Sequence, residues 1–280
     1  MIKHEHRYEQ IPFRSYVNYF ADPDPLDFDY EHDASGDGIS DADTYRLSSD
    51  PLIDGRAHPL RKDVFVEVDW MEGVDRLSDE AKWRIGTRFY ENDIWLHIDA
   101  RFTPMNQRFI CILENGFPAD DGKMGGGGEL DDYEEKIRNS NWGLDRGYFY
   151  HQEKPGFHYS LLAYRHEEDS FLDQKRGNAP SPGRRFAIYT KRTSGTDWQV
   201  HTFLHEIGHN LIGRYYVDNP DHPRHNPLAN HFVYQDDRDY RVHCGCDDCA
   251  LRQGSRSPRS DFCGNCWGAM NFQWDGWRSR

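Results

Sequence analysis

Two histidines four residues apart enclose a glutamate in the pattern HExxH, formed by His205, Glu206 and His209. The pattern has a clear meaning on an α-helix, where residues four apart lie on one face and both imidazoles can bind one metal ion. Glu206 is turned by about 100° around the helix axis, which places its carboxylate beside the metal ion and not on it. The sequence therefore predicts a helix that carries a zinc site.

Apolar residues surround this pattern at helical spacing, which predicts a helix with one buried face. They are Val200, Phe203, Leu204, Ile207 and Leu211. Gly213 stands where a left-handed helix C-terminal cap is expected. His201 lies one turn before His205 on the same face, and we interpret it as a packing residue that supports the zinc site.

The residue types of the pattern suit hydrolysis of an amide bond. Zinc lowers the pKa of water towards neutrality, and a carboxylate such as that of Glu206 can take the proton as general base. The alternative is that His205 and His209 are core histidines without a metal. A catalytic zinc needs three protein ligands and an open position, so a third ligand must come from another part of the chain.

The residues alone leave the identity of the third ligand open. No Glu follows Glu206, and the compact pattern HExxHxxGxxH requires a histidine at position 215, where this chain has Tyr215. The remaining candidates are histidines and aspartates further along the chain. They are His222, His225, His231, His243, Asp218, Asp221, Asp236 and Asp237.

Five of the six cysteines lie within 23 residues near the end of the sequence. They are Cys244, Cys246, Cys249, Cys263 and Cys266. Two CxxC pairs separated by thirteen residues are typical of a structural zinc site. Disulfides are the alternative, but the odd count favours reduced thiols that bind metal. The sixth cysteine, Cys111, lies in an apolar run and is interpreted as a core residue.

Residues 1–61 form an Asp-rich segment with few apolar side chains. Such a segment buries too little apolar surface to be ordered by a hydrophobic core of its own. Residues 33–44 within it follow the calcium-loop pattern, with a glycine at position six. The candidate ligands are Asp33, Ser35, Asp37, Asp41 and the backbone carbonyl of Ile39. Position twelve is Thr44 where a bidentate Glu is expected, and a solvated acidic linker is the alternative.

From residue 62 onwards the pattern changes to strands alternating with helices. Val64–Trp70 alternates apolar and polar residues and predicts a buried strand, and Ser78 predicts the N-cap of a helix that runs to about Asn92. Further strands are predicted at Ile94–Asp99, Tyr148–Tyr150, Tyr159–Tyr164 and Phe186–Thr190. This β-α-β succession predicts an α/β (α+β) fold in residues 62–280, with a sheet that has at least one parallel crossover.

The overall charge excludes some classes of partner. A formal charge of −14 argues against nucleic acid as a partner, because a phosphate backbone is bound by excess Lys and Arg. No apolar stretch is long enough to cross a bilayer, and residues 1–20 lack the apolar core of a signal peptide. The thiol cluster favours the cytoplasm and the calcium loop favours export, so we expect a cytoplasmic protein unless a leader has been removed. The oligomeric state is left open.

The sequence resembles the metzincin metalloproteases, and the archaemetzincins in particular. In archaemetzincins the third zinc histidine is followed directly by a Cys, four further residues, a second Cys and a later CxxC. His243-Cys244, Cys249 and Cys263-Gly-Asn-Cys266 reproduce these elements. The resemblance implies that His243 is the third catalytic ligand. It also implies a second zinc on Cys244, Cys249, Cys263 and Cys266, with Cys246 as spare or alternate, in a module spanning residues 243–266.

The resemblance also implies a peptide or protein substrate and a methionine beneath the zinc histidines. Leu251 stands where the archaemetzincin pattern has this Met, whereas Met270 resembles the Met-turn of bacterial secreted relatives. The Asp-rich loop is similar to those of thrombospondin type 3 segments. The competing functional hypothesis is a binding domain whose HExxH zinc has four protein ligands and no open position.

Overall fold

The structure is a computed structural model, and it describes nine ranges of the chain. They are 33–48, 57–70, 75–99, 156–163, 176–179, 183–212, 216–217, 228–234 and 240–272. Several sequence predictions fall outside these ranges and stay predictions. They concern Tyr148–Tyr150, Cys111, Gly213, His222, His225, Asp218, Asp221, Asp236 and Asp237.

The described residues form a mixed α/β fold, as the sequence predicts. The strands are β1 (Lys62–Trp70), β2 (Ile94–Asp99), β3 (Phe157–Ala163), β4 (Gly177–Asn178), β5 (Arg185–Tyr189), β6 (Tyr216–Val217), β7 (Phe232–Tyr234) and β8 (Tyr240–Cys244). The α-helices are α1 (Asp41–Ser48), α2 (Asp79–Tyr90), α3 (Thr196–Leu211) and α4 (Gly264–Ala269). Short 3-10 turns occur at Thr190–Arg192 and Ala229–His231.

Five strands form the main sheet in the order β2-β1-β3-β5-β4. All its neighbours are parallel except β4, which pairs antiparallel with β5. The sheet is therefore mixed, and β4 is its outermost strand on one side in the described part of the chain. Strands β6, β8 and β7 form a second, antiparallel sheet in that order.

Helix α2 connects β1 to β2 and covers one part of the sheet. The Ser78 hydroxyl accepts a hydrogen bond from the backbone N–H of Ala81 at 3.1 Å, which confirms the predicted N-cap. Ala81, Ile85 and Phe89 form its buried face. Ser78 also anchors the helix to α3, because its backbone N–H donates to the side-chain oxygen of Gln199 at 3.0 Å.

Helix α3 is buried almost all round and carries the HExxH pattern. Its apolar stripe packs on the main sheet, where Phe203 meets Phe186 edge to face with ring centroids 5.2 Å apart. Its other side lies against the cysteine-rich segment. A Cβ atom on Gly208 would come within 2.7 Å of Phe262 and 3.1 Å of Leu251, so the segment packs closely on the helix at this glycine.

The predicted calcium loop lies directly against the start of β1. Ile39 is buried, and the backbone N–H of Asp63 donates to a carboxylate oxygen of Asp37 at 2.8 Å. The Asp-rich segment is therefore anchored to the main sheet by this loop. No helix in the described part of the chain has the length and hydropathy needed to cross a bilayer.

Candidate metal centres

Three imidazoles converge beside α3, and we call His205, His209 and His243 the histidine cluster. His205 and His209 come from α3, one turn apart, and His243 comes from β8. One ring nitrogen of each lies within 4.8 Å of those of the other two. The Nε2 atoms of His205 and His209 are 3.2 Å apart. Of the third-ligand candidates in the described residues, the structure thus brings His243 to the HExxH pair.

The histidine cluster fits a metal ion by its chemistry. The Nδ1–H of His205 donates to the backbone carbonyl of Ala250 at 2.8 Å, which leaves a lone pair on Nε2 facing His209. The Nδ1 atoms of His209 and His243 are buried and have no hydrogen-bond partner among the described residues. The converging ring nitrogens of the three histidines form a donor set that suits a divalent cation such as zinc.

All three imidazoles are neutral at physiological pH, the form in which histidine binds metal. Burial lowers the pKa of His205, and burial together with the neighbouring His205 lowers the pKa of His209 well below its usual value. The pKa of His243 falls to about 3 for the same two reasons. The cluster therefore has three lone-pair donors ready for a cation and no need to lose a proton first.

Glu206 follows His205 on α3 and is buried against the edge of the main sheet. A Cβ atom on Gly177 of β4 would lie 2.5 Å from its Oε1 atom and 2.6 Å from its Cγ atom. The absence of a side chain at Gly177 thus makes room for the glutamate. Burial raises the pKa of Glu206 to about 8. A carboxyl group with such a pKa can both take up and release a proton near neutral pH.

His201 packs beside the histidine cluster and lies outside the group of three converging donors. Its ring centroid is 6.0 Å from that of His205, and its Nδ1 accepts a hydrogen bond from the backbone N–H of Arg259 at 3.1 Å. Burial lowers its pKa to about 4, so the ring is neutral. Its position agrees with the interpretation of His201 as a packing residue.

The cysteines form a second cluster, and we call the five cysteines together with His231 the thiol cluster. The Sγ atoms of Cys244, Cys249, Cys263 and Cys266 all lie within 4.8 Å of one another. The five cysteines are free thiols, so the disulfide alternative does not hold for them. Four thiols so close together cannot all ionise without a cation between them, because like charges repel.

His231 belongs to the thiol cluster and not to the histidine cluster. Its Nε2 lies 3.1 Å from the Sγ of Cys244 and 3.2 Å from that of Cys263. The sequence predicts His231 only as an alternative third ligand for the zinc ion of the HExxH pattern. The antiparallel pairing of β7 with β8, in which Phe232 faces Cys244, brings it to the thiols instead.

The two clusters are linked through three consecutive residues. Cys249 faces the other thiols, Ala250 accepts the hydrogen bond that orients His205, and Leu251 packs on α3 at Gly208. Leu251 is therefore an apolar support under the HExxH pattern. Met270 is half-buried at the end of α4, where it packs against the same core.

In the predicted calcium loop, backbone N–H groups surround the carboxylate of Asp33. The N–H groups of Gly36 and Gly38 donate to its two oxygens at 2.7 and 2.8 Å. The N–H of Ala34 donates to Asp41 at 3.1 Å. Among the described residues, these aspartates do not form a group of three close donors like those of the two clusters. The calcium site stays a prediction.

Two solved structures are similar to this chain at low sequence identity. An archaemetzincin from Methanopyrus kandleri is 13% identical with a TM-score of 0.42, covering 74% of this chain and 92% of that chain. An archaemetzincin from Archaeoglobus fulgidus, in complex with malonate, is 11% identical with a TM-score of 0.33, covering 74% and 99%. No family model and no curated protein matches the sequence. Function therefore has to be inferred from the side chains.

Proposed function

We propose that this chain is a zinc-dependent, metzincin-like peptidase in which His205, His209 and His243 hold the metal ion and Glu206 acts as general base. The observation that carries the proposal is the convergence of three neutral imidazoles, of which His209 and His243 are buried and His205 is half-buried. Two of the three come from one helix that also carries a buried glutamate. Three protein donors leave a tetrahedral metal ion with one open position, as catalysis requires.

Besides the metal ligands, the reaction requires a side chain next to the metal site that can accept and donate a proton. Zinc supplies Lewis acidity, which lowers the pKa of water and polarises a carbonyl group. Glu206 takes the proton of the attacking water at a carboxylate oxygen. The carboxyl group of Glu206, whose pKa burial raises to about 8, then donates that proton to the leaving amine.

The position of β4 favours an extended peptide as the substrate. β4 is the outermost strand on its side of the described sheet, and Gly177 within it lies against Glu206. An extended peptide can add to such an edge by main-chain hydrogen bonds, which brings its backbone close to the glutamate. The edge thus provides a way to hold a peptide bond beside the histidine cluster without relying on one side chain of the substrate.

Gly177→Ala tests this arrangement. The new methyl group would collide with Glu206 and with the backbone carbonyl of Ala187 in β5, so both the glutamate and β4 would have to shift. We expect peptidase activity to fall by about 100-fold, the scale of a 1 Å misplacement in an active site. Zinc content should stay unchanged, since the three converging imidazoles are not altered by the substitution. Gly86→Ala is the matched control, because a Cβ there meets no atom within 4 Å. Equal activity of both variants would contradict the role given to β4.

We propose that the thiol cluster is a structural zinc site. The burial of Cys249 and Cys266, and the packing of Leu251 and Phe262 on α3, support a role in holding the active-site helix and His205 in place. Soft thiolate ligands select zinc over the hard cations. The backbone N–H of Cys246 donates to the Sγ of Cys244 at 3.2 Å, which fixes the position of that sulfur.

We also propose that the loop at residues 33–44 binds calcium. Removal of calcium with a chelator should then lower the melting temperature, because a ligand at one hundred times its Kd adds about 2.7 kcal/mol of stability. Asp41→Asn should remove most of the calcium effect while an amide oxygen can still accept from Ala34. Asp43→Asn, at a position without a ligand role, is the matched control. A wild-type melting temperature that is the same with and without calcium would contradict the proposal.

A further inference from the structure

Arg176 lies beside the histidine cluster, directly before the edge strand β4. It precedes Gly177, whose Cα faces the side chain of Glu206. The guanidinium carbon of Arg176 lies over the ring of Trp198, 3.8 Å from the ring centroid. Because Trp198 belongs to the first turn of α3, the side chain of Arg176 extends from the level of the glutamate towards the start of this helix.

Trp198 is in line with the rings of the histidine cluster. The ring centroids of Trp198 and His201 are 5.3 Å apart, and those of His201 and His205 are 6.0 Å apart. Trp198 and His205 are seven residues apart on one helix, which is about 10.5 Å along the helix axis. The guanidinium of Arg176 therefore lies along the same face of α3 as the zinc-site histidines, about two turns from His205.

The guanidinium of Arg176 has hydrogen-bond donors that the fold does not use. In the ranges that the structure describes, its Nη1 donates to the backbone carbonyl of Ser255 at 3.2 Å, and no carboxylate forms an ion pair with it. A guanidinium has five N–H donors, and stacking on an aromatic ring occupies its flat face and leaves the donors at its edge. Arg176 and Trp198 are both half-buried. The group is thus held in one orientation, reaches solvent and can bind an anion.

Arg192 adds a second positive charge close to Arg176. Burial and the charge of Arg192 lower the pKa of Arg176, but a guanidinium remains cationic at physiological pH. Two cations that repel each other are stabilised by an anion beside them, more strongly in a half-buried place than in bulk water. The chain as a whole has a formal charge of −14, so this pair of cations is a local exception to its acidic character.

We propose that Arg176 makes the site selective for peptides with an aspartate or glutamate side chain. The inference rests on the proposed function, because it takes β4 as the edge that binds an extended peptide. Such a peptide advances about 3.3 Å per residue, so a side chain roughly three residues from the peptide bond at the histidine cluster reaches Arg176. The stacked guanidinium binds the carboxylate of that side chain by charge-assisted hydrogen bonds.

Peptide binding to the Glu206→Gln protein tests the proposal without cleavage. One set of labelled peptides with blocked ends has a single aspartate at each position in turn, and a second set has asparagine in its place. At the favoured position we expect roughly 10-fold tighter binding of the aspartate peptide by fluorescence anisotropy, the effect of a hydrogen bond to a charged group. Equal or undetectable binding of the two sets would overturn the proposal.

A third set of peptides separates a side-chain carboxylate from the end of a peptide chain. These are the asparagine peptides with a free carboxyl terminus, and we expect them to bind no more tightly than their blocked counterparts. A gain that appears only with the free terminus would overturn the assignment to an acidic side chain. The binding measurement does not depend on turnover, so a wild-type protein that cleaves no peptide would contradict the proposed function and leave this result intact.

Substitutions assign the preference to Arg176. Arg176→Gln should bind the aspartate peptide roughly 10-fold more weakly than before and the asparagine peptide equally well. Arg176→Lys keeps the charge but loses the planar group, so its preference should be intermediate. It also serves as the second variant if Arg176→Gln does not fold.

Arg84→Gln is the matched control for these variants. Arg84 also reaches the first turn of α3, but it forms an ion pair there with Asp197 at 2.7 Å. Its substitution should leave the preference for aspartate unchanged. A full preference in Arg176→Gln protein that binds zinc like the wild type, or an equal loss in Arg84→Gln, would overturn the proposal.

Discussion

Glu206→Gln is expected to lower peptidase activity by about 10²- to 10⁴-fold, the range that a general acid–base group contributes. Glutamine has nearly the shape of glutamate and fits beside Gly177, but it cannot accept a proton from water. Zinc content should stay at the wild-type value, because the three imidazoles that form the site are unchanged. Cleavage of a labelled casein and metal analysis of the same sample measure both quantities.

Glu67→Gln is the matched control for this experiment. Glu67 is a buried glutamate of β1 in the main sheet, and it lies outside the histidine cluster. We expect its substitution to leave the casein assay within a few-fold of wild type, since any loss would have to come through the fold. If the Glu206→Gln protein binds as much zinc as the wild type and cleaves casein at the wild-type rate, Glu206 is not the general base.

His243→Ala is expected to remove the zinc ion of the histidine cluster and all measurable activity. Loss of an outer hydrogen-bond partner already weakens metal binding by roughly 10- to 100-fold, and in the proposed site His243 is one of three direct donors. The zinc content per chain should fall by one ion, while the zinc of the thiol cluster remains. Competition with a chromogenic chelator measures the affinity, and mass spectrometry measures the content.

The same experiment separates His243 from the other third-ligand candidates. His222→Ala and His225→Ala should keep both zinc content and activity. If one of them loses the ion and His243→Ala keeps it, the third ligand is misassigned. If all three variants keep the ion, an aspartate becomes the candidate, which would be Asp218, Asp221, Asp236 or Asp237.

Local patterns predicted the elements that carry the site. The alternation of Val64–Trp70, the N-cap Ser78 and the strand Ile94–Asp99 are confirmed by β1, α2 and β2. The HExxH pattern and its apolar neighbours predicted α3, because helical spacing and metal geometry require the same conformation. Signals of this kind depend on residues close in sequence, so they can be interpreted without a tertiary structure.

Pairing between strands that are distant in sequence determines which residues join each cluster, and local sequence patterns do not reveal it. His231 is twelve residues before His243, and no spacing rule shows that it lies among thiols. Only the antiparallel register of β7 with β8 places it there. The apolar residue that supports the HExxH pattern could not be identified from the sequence either, because Leu251 and Met270 are both apolar and both follow the pattern. The close approach of Leu251 to Gly208 depends on how the cysteine-rich segment folds over α3.

The packing also relates the two clusters in a way that residue patterns do not show. Ala250 orients His205 through its carbonyl group, and it follows Cys249 directly. Metal in the thiol cluster would therefore fix the position of an atom that orients a ligand in the histidine cluster. The cysteine-rich module accordingly packs against α3, the helix that carries the HExxH pattern.

Digestion of a mixed peptide library, followed by mass spectrometry of the new termini, tests the central claim most directly. The account predicts new termini from zinc-loaded wild-type protein, their loss after chelation and their return when zinc is restored. Glu206→Gln protein should produce none. A zinc-loaded wild-type chain that cleaves no peptide in the library, or a set of termini shared by both proteins, would contradict the assignment of this chain as a zinc peptidase.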